Sequence, residues 1–548
     1  MPLTYLAKQP HLAVIQLGRL GDMIQSTLAL KALRQQNPAA HLSLIAFKPF
    51  VKVLAHWPVI DEVITLDQSE WSYLTEPNAW DIATYAPVVN AFAKKLNKFD
   101  RVYNLTFNEL ASYLAYSLAK PNQVTGFTLD DVGNFVCASD WGQYLTASLD
   151  FRLLNPFNLV DLFVLMVQGY PFSGTLHVSS SNIDQASTLL PANCDDTIMI
   201  ALQCGASRNQ RCWPLEQFAS LANILTDHPR VRLVFVGTED EGPLVAQIIL
   251  LMKDKQRAIN LTGQTQLSQL ADVIRQVRLV VGNDTGTMHL AAAVGTPTVT
   301  IFLDYAHFWE TGPYGFDHLV LQAAPPQYPS QATIWGQSSS QISTTAVAIC
   351  ISQLVPELQS LTISSPNNQL PCYRSRHLWG QLDYVPIDSG AGALDDALRL
   401  IYRWVWLSAL CPPDQFTIPL DTLVATLPQS FILTAEIFAG LWQTRTKAQK
   451  VSRELERFQE IVASCEQGGQ NWVFTSLGIS LPQPLGPILQ EWEKDIQSKV
   501  RPITSFLLWQ MRNHLATGLP ETISSYLSNI QTASRATQAL IKALDKIL

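Results

Sequence analysis

The sequence predicts an α/β protein with two doubly wound domains in tandem, facing each other across a cleft, and a mainly helical C-terminal extension. Three observations carry this. Short apolar runs alternate with helical patterns through the first third of the chain. The same alternation restarts after a Ser-, Gly- and Pro-containing stretch at 171–191, and strand signals fade beyond a polar segment at 364–376. Apolar strands separated by helices mark a parallel sheet covered on both faces, because each strand is buried from both sides. The expected units are residues 1–175, 176–363 and 377–548.

In the first unit, LAVIQL (Leu12–Leu17) reads as a buried strand and Met23 to Gln35 as the helix after it. HLSLIAF (His41–Phe47), EVITL (Glu62–Leu66) and RVYNLTF (Arg101–Phe107) are further strands. In the second unit, TIMIALQ (Thr197–Gln203), VRLVFVG (Val231–Gly237), VRLVVG (Val277–Gly282) and TPTVTIF (Thr296–Phe302) are strands. Between them lie helices at Leu215–Thr226, through Val245–Met252, over LSQLADVIRQ and from Met288 to Val294. The segment SSPNNQLPCYRSR (Ser364–Arg376) reads as a linker. After it Leu394–Leu407, Ala435–Ser464, Ile488–Ala516 and Thr522–Leu548 look helical, with a loop near Glu466–Asn471.

Composition narrows the function classes. A chain of 548 residues exceeds what one core can organise. With 47% hydrophobic and 15% charged residues it is built for packed domains rather than disorder. A formal net charge of -8 and the lack of a long Lys/Arg run argue against nucleic acid as a partner. The eight cysteines form no C-x-x-C pair and read as buried thiols of a reducing compartment. No signal peptide is evident, and no stretch approaches the about 20 apolar residues of a membrane span. The expectation is a cytoplasmic protein.

Four clusters fall at strand ends, where open α/β sheets bind ligands. The first is Gly18-Arg19-Leu20-Gly21-Asp22-Met23, after the opening strand. Gly18 and Gly21 permit a tight turn and close backbone approach. Asp22 stands at the helix start, where a carboxylate can be an N-cap or a general base for a hydroxyl. The second runs from Gln203-Cys204-Gly205 through Arg208 and Arg211 to Trp213-Pro214. Its arginines can grip a diphosphate with a fork geometry that lysine lacks, or can simply be solvated. The third, Gly237-Thr238-Glu239-Asp240-Glu241, offers a carboxylate to ribose hydroxyls or to the helix dipole. The fourth and most specific is Gly282-Asn283-Asp284-Thr285-Gly286-Thr287-Met288-His289. Backbone amides of Thr285, Gly286 and Thr287 at a helix start make an anion site, with His289 about one turn in. D-T-G also occurs in aspartic proteases, but there in an all-β fold, and the surroundings here are α/β.

Taken together, G-R-L-G-D-M-I (Gly18–Ile24), R-C-W-P (Arg211–Pro214) and G-N-D-T-G-T-M-H-L-A-A-A (Gly282–Ala293) resemble glycosyltransferase family 9, the ADP-heptose:lipopolysaccharide heptosyltransferases. The resemblance covers roughly residues 10–350 and leaves the last third outside. It implies a GT-B fold, with acceptor on the first Rossmann-like domain and donor on the second. It also implies inverting transfer from a nucleotide-diphosphate sugar, ADP-heptose, to a cell-envelope acceptor such as lipopolysaccharide core, peripherally at the inner face of the cytoplasmic membrane. Asp22 then matches the catalytic base, Glu241 the acidic residue at the nucleoside, Asp284, Thr285 and Gly286 the donor loop, and His289 the histidine after it. Arg211 stands where the family usually has lysine. No D-x-D triplet occurs, so no carboxylate pair is offered to a divalent ion and metal-independent transfer is expected.

Other readings stay open from sequence. A nucleotide-dependent oxidoreductase is poorly supported, since G-x-G-x-x-G is missing after the early strands. A protein acceptor, flagellar or at the cell surface, is an alternative motivated by the extension, which could equally mediate oligomerisation. A non-catalytic nucleotide-sugar-binding or assembly protein is a third.

Overall fold

The computed structural model describes residues 9–71, 82–96, 98–130, 133–180, 188–190, 196–303, 306–323, 342–361, 372–387, 393–427, 435–465, 472–474, 480–482, 491–492, 499–513 and 519–547. Its first sheet contains β1 (His11–Gln16), β2 (His41–Phe47), β3 (Glu62–Leu66), β4 (Arg101–Asn104), β5 (Val124–Leu129) and β6 (Phe135–Cys137). The strand order is β3-β2-β1-β4-β5-β6, parallel except for the last pair. Side chains alternate across it: Leu12 and Val14 enter one buried cluster, Ala13 and Ile15 another. Burial on both faces is why the opening strand reads as an unbroken apolar run.

The second sheet is built from β7 (Ile198–Gln203), β8 (Val231–Val236), β9 (Ala258–Asn260), β10 (Leu279–Asn283), β11 (Thr298–Phe302), β12 (His318–Gln322), β13 (Cys372–Leu378) and β14 (Gln381–Pro386). Its order is β14-β13-β12-β11-β10-β7-β8-β9, with the β12-β13-β14 edge antiparallel. In each sheet the strand order reverses once, between β1 and β4 and between β7 and β10. Ligand crevices open outside the carboxyl ends of strands at such reversals. The two reversal points carry Leu17–Asp22 on one side and Gln203–Gly205 with Asn283–Thr285 on the other.

The helices that position the site are α1 (Leu20–Gln36), α2 (Asp140–Ser148), α3 (Leu159–Gln168), α4 (Leu215–Thr226), α5 (Gly242–Leu251), α6 (Leu267–Gln276) and α7 (Gly286–Ala293). The extension contributes α8 (Ala393–Leu410), α9 (Ala435–Cys465), α10 (Arg501–Asn513) and α11 (Leu519–Ile547). This is the two-domain GT-B architecture with a helical extension.

One buried cluster runs from Val14 of the first sheet through Met23 and Met288 to Val280 of the second, and on to Leu398, Trp406 and Leu544 of the extension. The extension is therefore part of the common core rather than an appended domain. Leu398, Ile401 and Val405 on α8 are fully buried, each contributing about 1.5–3 kcal/mol of apolar transfer. A polar node fixes the same junction. Asp161 on α3 accepts from Tyr314 Oη (2.9 Å) and from the Leu382 amide (3.0 Å). Arg403 on α8, almost wholly buried, donates to Pro156 O (2.5 Å) and lies 3.5 Å from Asp383. Burial raises the Asp161 carboxyl to about 7, against the pull of Arg403.

Two sequence expectations change. The end of the segment expected as a linker, residues 372–376, is strand: Cys372 and Tyr373 are buried against β12 while Arg374 and Arg376 pair with Asp317 and Asp383. Its charged alternation hid a strand, second from the sheet's edge, that is half solvated. Asp22 is not the N-cap of α1 either. Arg19 holds that position, and Asp22 lies three residues in, accepting from the Arg19 amide at 2.8 Å. The loop expected at Glu466–Asn471, and part of the helix expected from Ile488, lie outside the described residues. Among the described residues no helix is long and apolar enough to cross a membrane.

Candidate active site between the two sheets

The second-sheet half is organised by the ends of β7 and β10. Asn283 is fully buried; its amide donates to Cys204 O (2.8 Å) and Gly205 O (3.1 Å), and its Oδ1 accepts from the Trp213 amide (2.9 Å). Trp213, also buried, donates Nε1–H to Ile342 O (2.9 Å). The 204–213 loop is thus clamped at both ends, and Arg211 is presented at the mouth of β10. There its guanidinium hydrogen-bonds Asp284 O (3.0 Å) and forms an ion pair with the Asp284 carboxylate. Arg211 Nε is buried and has no partner among the described residues. Burial pushes the Asp284 carboxyl up to about 6, with Arg211 pulling the other way.

Glu241 lies where β7 and β8 end. Its carboxylate accepts from the Thr238 amide (2.7 Å) and from Gln203 Nε2 (3.2 Å), and Gln203 Oε1 accepts from Thr285 Oγ (3.2 Å). A Cβ on Gly205 would come 1.8 Å from Glu241 Oε1, so only glycine leaves room for that carboxylate. Thr285 holds the N-cap position of α7 without a side-chain capping bond, and the first-turn amides of a helix have no intrahelical acceptor, the arrangement by which helix starts can bind anions.

The first-sheet half is the β1–α1 loop. Leu17 N donates to Thr106 Oγ (2.7 Å) and Gly18 N to Gln16 Oε1 (3.0 Å), tying the loop to the exit of β4. Gly18 packs directly on Asp22, where a Cβ would lie 2.6 Å from Oδ2. Burial raises the Asp22 carboxyl above its ordinary value, opposed by the amide and charge of Arg19. The result is a carboxyl that accepts from the Arg19 amide yet takes up a proton more readily than an exposed aspartate.

The halves meet directly. A Cβ on Gly21 would lie 2.9 Å from His289 Cδ2, and one on Gly286 would lie 3.2 Å from the Leu20 side chain. The start of α1 therefore abuts the start of α7. His289 is buried, with Nδ1 lacking a partner among the described residues; burial and the Arg211 charge lower it to about 4, so it is a neutral imidazole near pH 7.

Of the residues singled out in the sequence, Gly18, Gly21, Asp22, Arg211, Glu241, Asp284, Thr285, Gly286 and His289 are brought together by these contacts where the two sheets' strand ends meet. Thr287 lies half-buried in the first turn of α7, and Arg208 is exposed on the loop before Arg211. Sequence reasoning did not select Gln203, Asn283, Thr106 or Glu310. Gln203 and Asn283 end their strands inside quoted motifs, which was the available signal. Glu310, buried 3.5 Å from Arg152, is raised by burial and borders Asp284 electrostatically, with nothing local to mark it. Among the described residues, the His/Cys/Asp/Glu cluster with metal-ligand spacing lies elsewhere, at the starts of β1–β3.

The model of the family described as glycosyltransferase family 9 (heptosyltransferase) matches residues 90–333. Lipooligosaccharide heptosyltransferase 2 of Haemophilus ducreyi is 40% identical over 93 residues, which is 17% of this chain and only 26% of that protein. Lipopolysaccharide heptosyltransferase 1 of Campylobacter coli is 21% identical over 298 residues, 53% of this chain and 83% of that protein. Among solved structures, a family 9 glycosyl transferase from Veillonella parvula superposes with a TM-score of 0.51 at 25% identity, covering 64% of this chain and 98% of that one.

Proposed function

We propose, from the premise that residues 90–333 are a glycosyltransferase family 9 (heptosyltransferase) domain, that the chain transfers heptose from ADP-heptose to a hydroxyl of lipopolysaccharide core. The observation that carries this reading is the abutment of the starts of α1 and α7, Gly21 against His289 and Gly286 against Leu20, which brings Asp22 of the first turn of α1 close enough to Asp284 to raise its carboxyl. Asp22 takes the proton of the acceptor hydroxyl. The resulting oxygen attacks the anomeric carbon from the face opposite the diphosphate, and configuration inverts. The leaving ADP is received by Arg211 and the amides of Thr285, Gly286 and Thr287, fixed donors that need no reorganisation as charge develops. Glu241 is placed to accept from the ribose hydroxyls, and neutral His289 seals the crevice beside Gly21.

This chemistry asks for no divalent ion, since guanidinium and helix-end donors supply the counter-charge. An acceptor of this class draws the chain to the inner face of the cytoplasmic membrane, where it acts peripherally. The reading is tested by screening ADP-heptose, UDP-GlcNAc, GDP-mannose and NADH for binding and turnover with EDTA present. Selective binding of ADP-heptose with slow ADP release is expected. Absence of nucleotide-sugar binding overturns the reading, and activity only with added metal overturns the metal-free step.

A further inference from the structure

The first sheet gathers a second set of chemical groups at the edge opposite the crevice, where β1, β2 and β3 begin. His11 and His41 are register partners on adjacent strands, and Glu62 is the partner of Ser43, two residues beyond His41 on the same face. The pairing therefore sets His11, His41 and Glu62 side by side. His41 Nε2 lies 3.6 Å and His11 Nε2 3.9 Å from Glu62 Oε2, and all three ligand atoms lie within 4.8 Å of one another.

We propose that His11, His41 and Glu62 form a binding site for a divalent transition metal, zinc above others. Bonds of about 2.0–2.1 Å at tetrahedral angles place neighbouring ligand atoms about 3.4 Å apart. Both measured separations from Glu62 need only a few tenths of an ångström of closure to reach that. Two imidazoles and one carboxylate select borderline metals such as Zn²⁺ and Co²⁺ over Mg²⁺ and Ca²⁺, which take oxygen ligands.

The surroundings suit the role. Ser43 Oγ donates to Glu62 Oε2 at 2.8 Å and lies 2.9 Å from His11 Nε2. It therefore holds the carboxylate from outside and can release His11 to the ion. The His11 ring is fixed by Phe99 (4.6 Å between centroids) and by the edge of His41 (4.7 Å). Glu62 and His41 are 48% and 39% exposed at their side chains, which leaves a coordination position open to water. Asp61 adds no ligand, since its carboxylate is engaged by Arg34 and by the Leu42 amide (2.7 Å).

Over the six residue steps from His11 to Leu17, a strand rise of about 3.3 Å puts this ion about 20 Å from the β1–α1 loop. It pins three strand starts together and takes no part in sugar transfer. The experiment strips the full-length chain with EDTA, then titrates ZnCl₂ by calorimetry and CoCl₂ by absorption, with MgCl₂ as control. One equivalent of Zn²⁺, an intense visible Co²⁺ band and a raised unfolding temperature are expected for the wild type. His41→Ala and Glu62→Gln, each checked for a native circular dichroism spectrum, should weaken Zn²⁺ binding about tenfold or more and lose the Co²⁺ band. Glu62→Gln keeps the side-chain shape, so it reports on ligation even where His41→Ala perturbs folding. Failure of the wild type to bind an equivalent, or undiminished binding by Glu62→Gln, overturns the proposal.

Discussion

Replacing Gly21 by alanine places a methyl group where the two halves of the site touch. The added Cβ would sit 2.9 Å from His289 Cδ2, closer than carbon atoms pack, and that ring is buried and cannot swing aside. Gly21 is the second residue of α1, with ordinary helical geometry, so the isolated helix should gain from the change. Alanine in a helix interior is worth about 0.5–1 kcal/mol over glycine. Overpacking a close contact costs about 1–3 kcal/mol, and here the strain falls on the approach of α1 to α7. Taken from transition-state stabilisation, that range is a loss of about 5- to 150-fold in kcat/KM. ADP affinity should change little, because the groups proposed to receive the diphosphate, Arg211 and the Thr285–Thr287 amides, all stand on the second domain. The assay is ADP release at saturating donor, alongside calorimetry with ADP and thermal unfolding. A G21A protein with wild-type turnover and higher thermal stability would refute the direct abutment of the domains.

Other expectations follow from the same contacts. Arg211→Lys keeps the charge but loses one of the two bonds to Asp284, so donor KM should rise about 5- to 30-fold, measured from initial rates at varied ADP-heptose. On pH, burial raises Asp22, so the proposed base is protonated as pH falls through a value above 3.8, and kcat/KM should drop about tenfold per unit below it. His289, lowered to about 4, is already neutral above pH 5, so the acid limb of a His289→Gln profile should keep its midpoint. A midpoint shift would make His289 the titrating base. Arg403→Met removes the cation beside Asp161 and Asp383 and should cost about 3–5 kcal/mol, read as a shift of the urea transition. An unchanged transition would show that the buried node does not hold the extension.

How far the sequence reached depends on the range of the signal. The β1–α1 unit and the 282–293 unit were legible because strand, turn and helix start are consecutive, so Leu12–Leu17 followed by Gly18–Asp22 and the D-T-G run declare themselves locally. Arg211 was recognised as a cation, but its pairing with Asp284, 73 residues away, was not. Asn283, which holds the Arg211 loop through Cys204, Gly205 and Trp213, looked like any strand-ending polar residue. Strand β13 was missed since Arg374, Arg376 and His377 break the apolar pattern, while its buried pairing partner β12 is far off in sequence. The extension could be read as helical, but not as sharing the core. Arg403 inserting beside Asp161 and Asp383 is a tertiary event with no local trace.

Asp22 is the residue on which the proposed transfer turns. Single-turnover release of ADP from ADP-heptose in the presence of lipopolysaccharide acceptor, compared between wild type and Asp22→Asn with donor affinity measured in parallel, isolates the base from the binding site. The expected result is a rate loss of about 10²–10⁴-fold with donor affinity unchanged. Wild-type turnover by Asp22→Asn, or loss of donor binding in step with the rate, would contradict the assignment of Asp22 as the base.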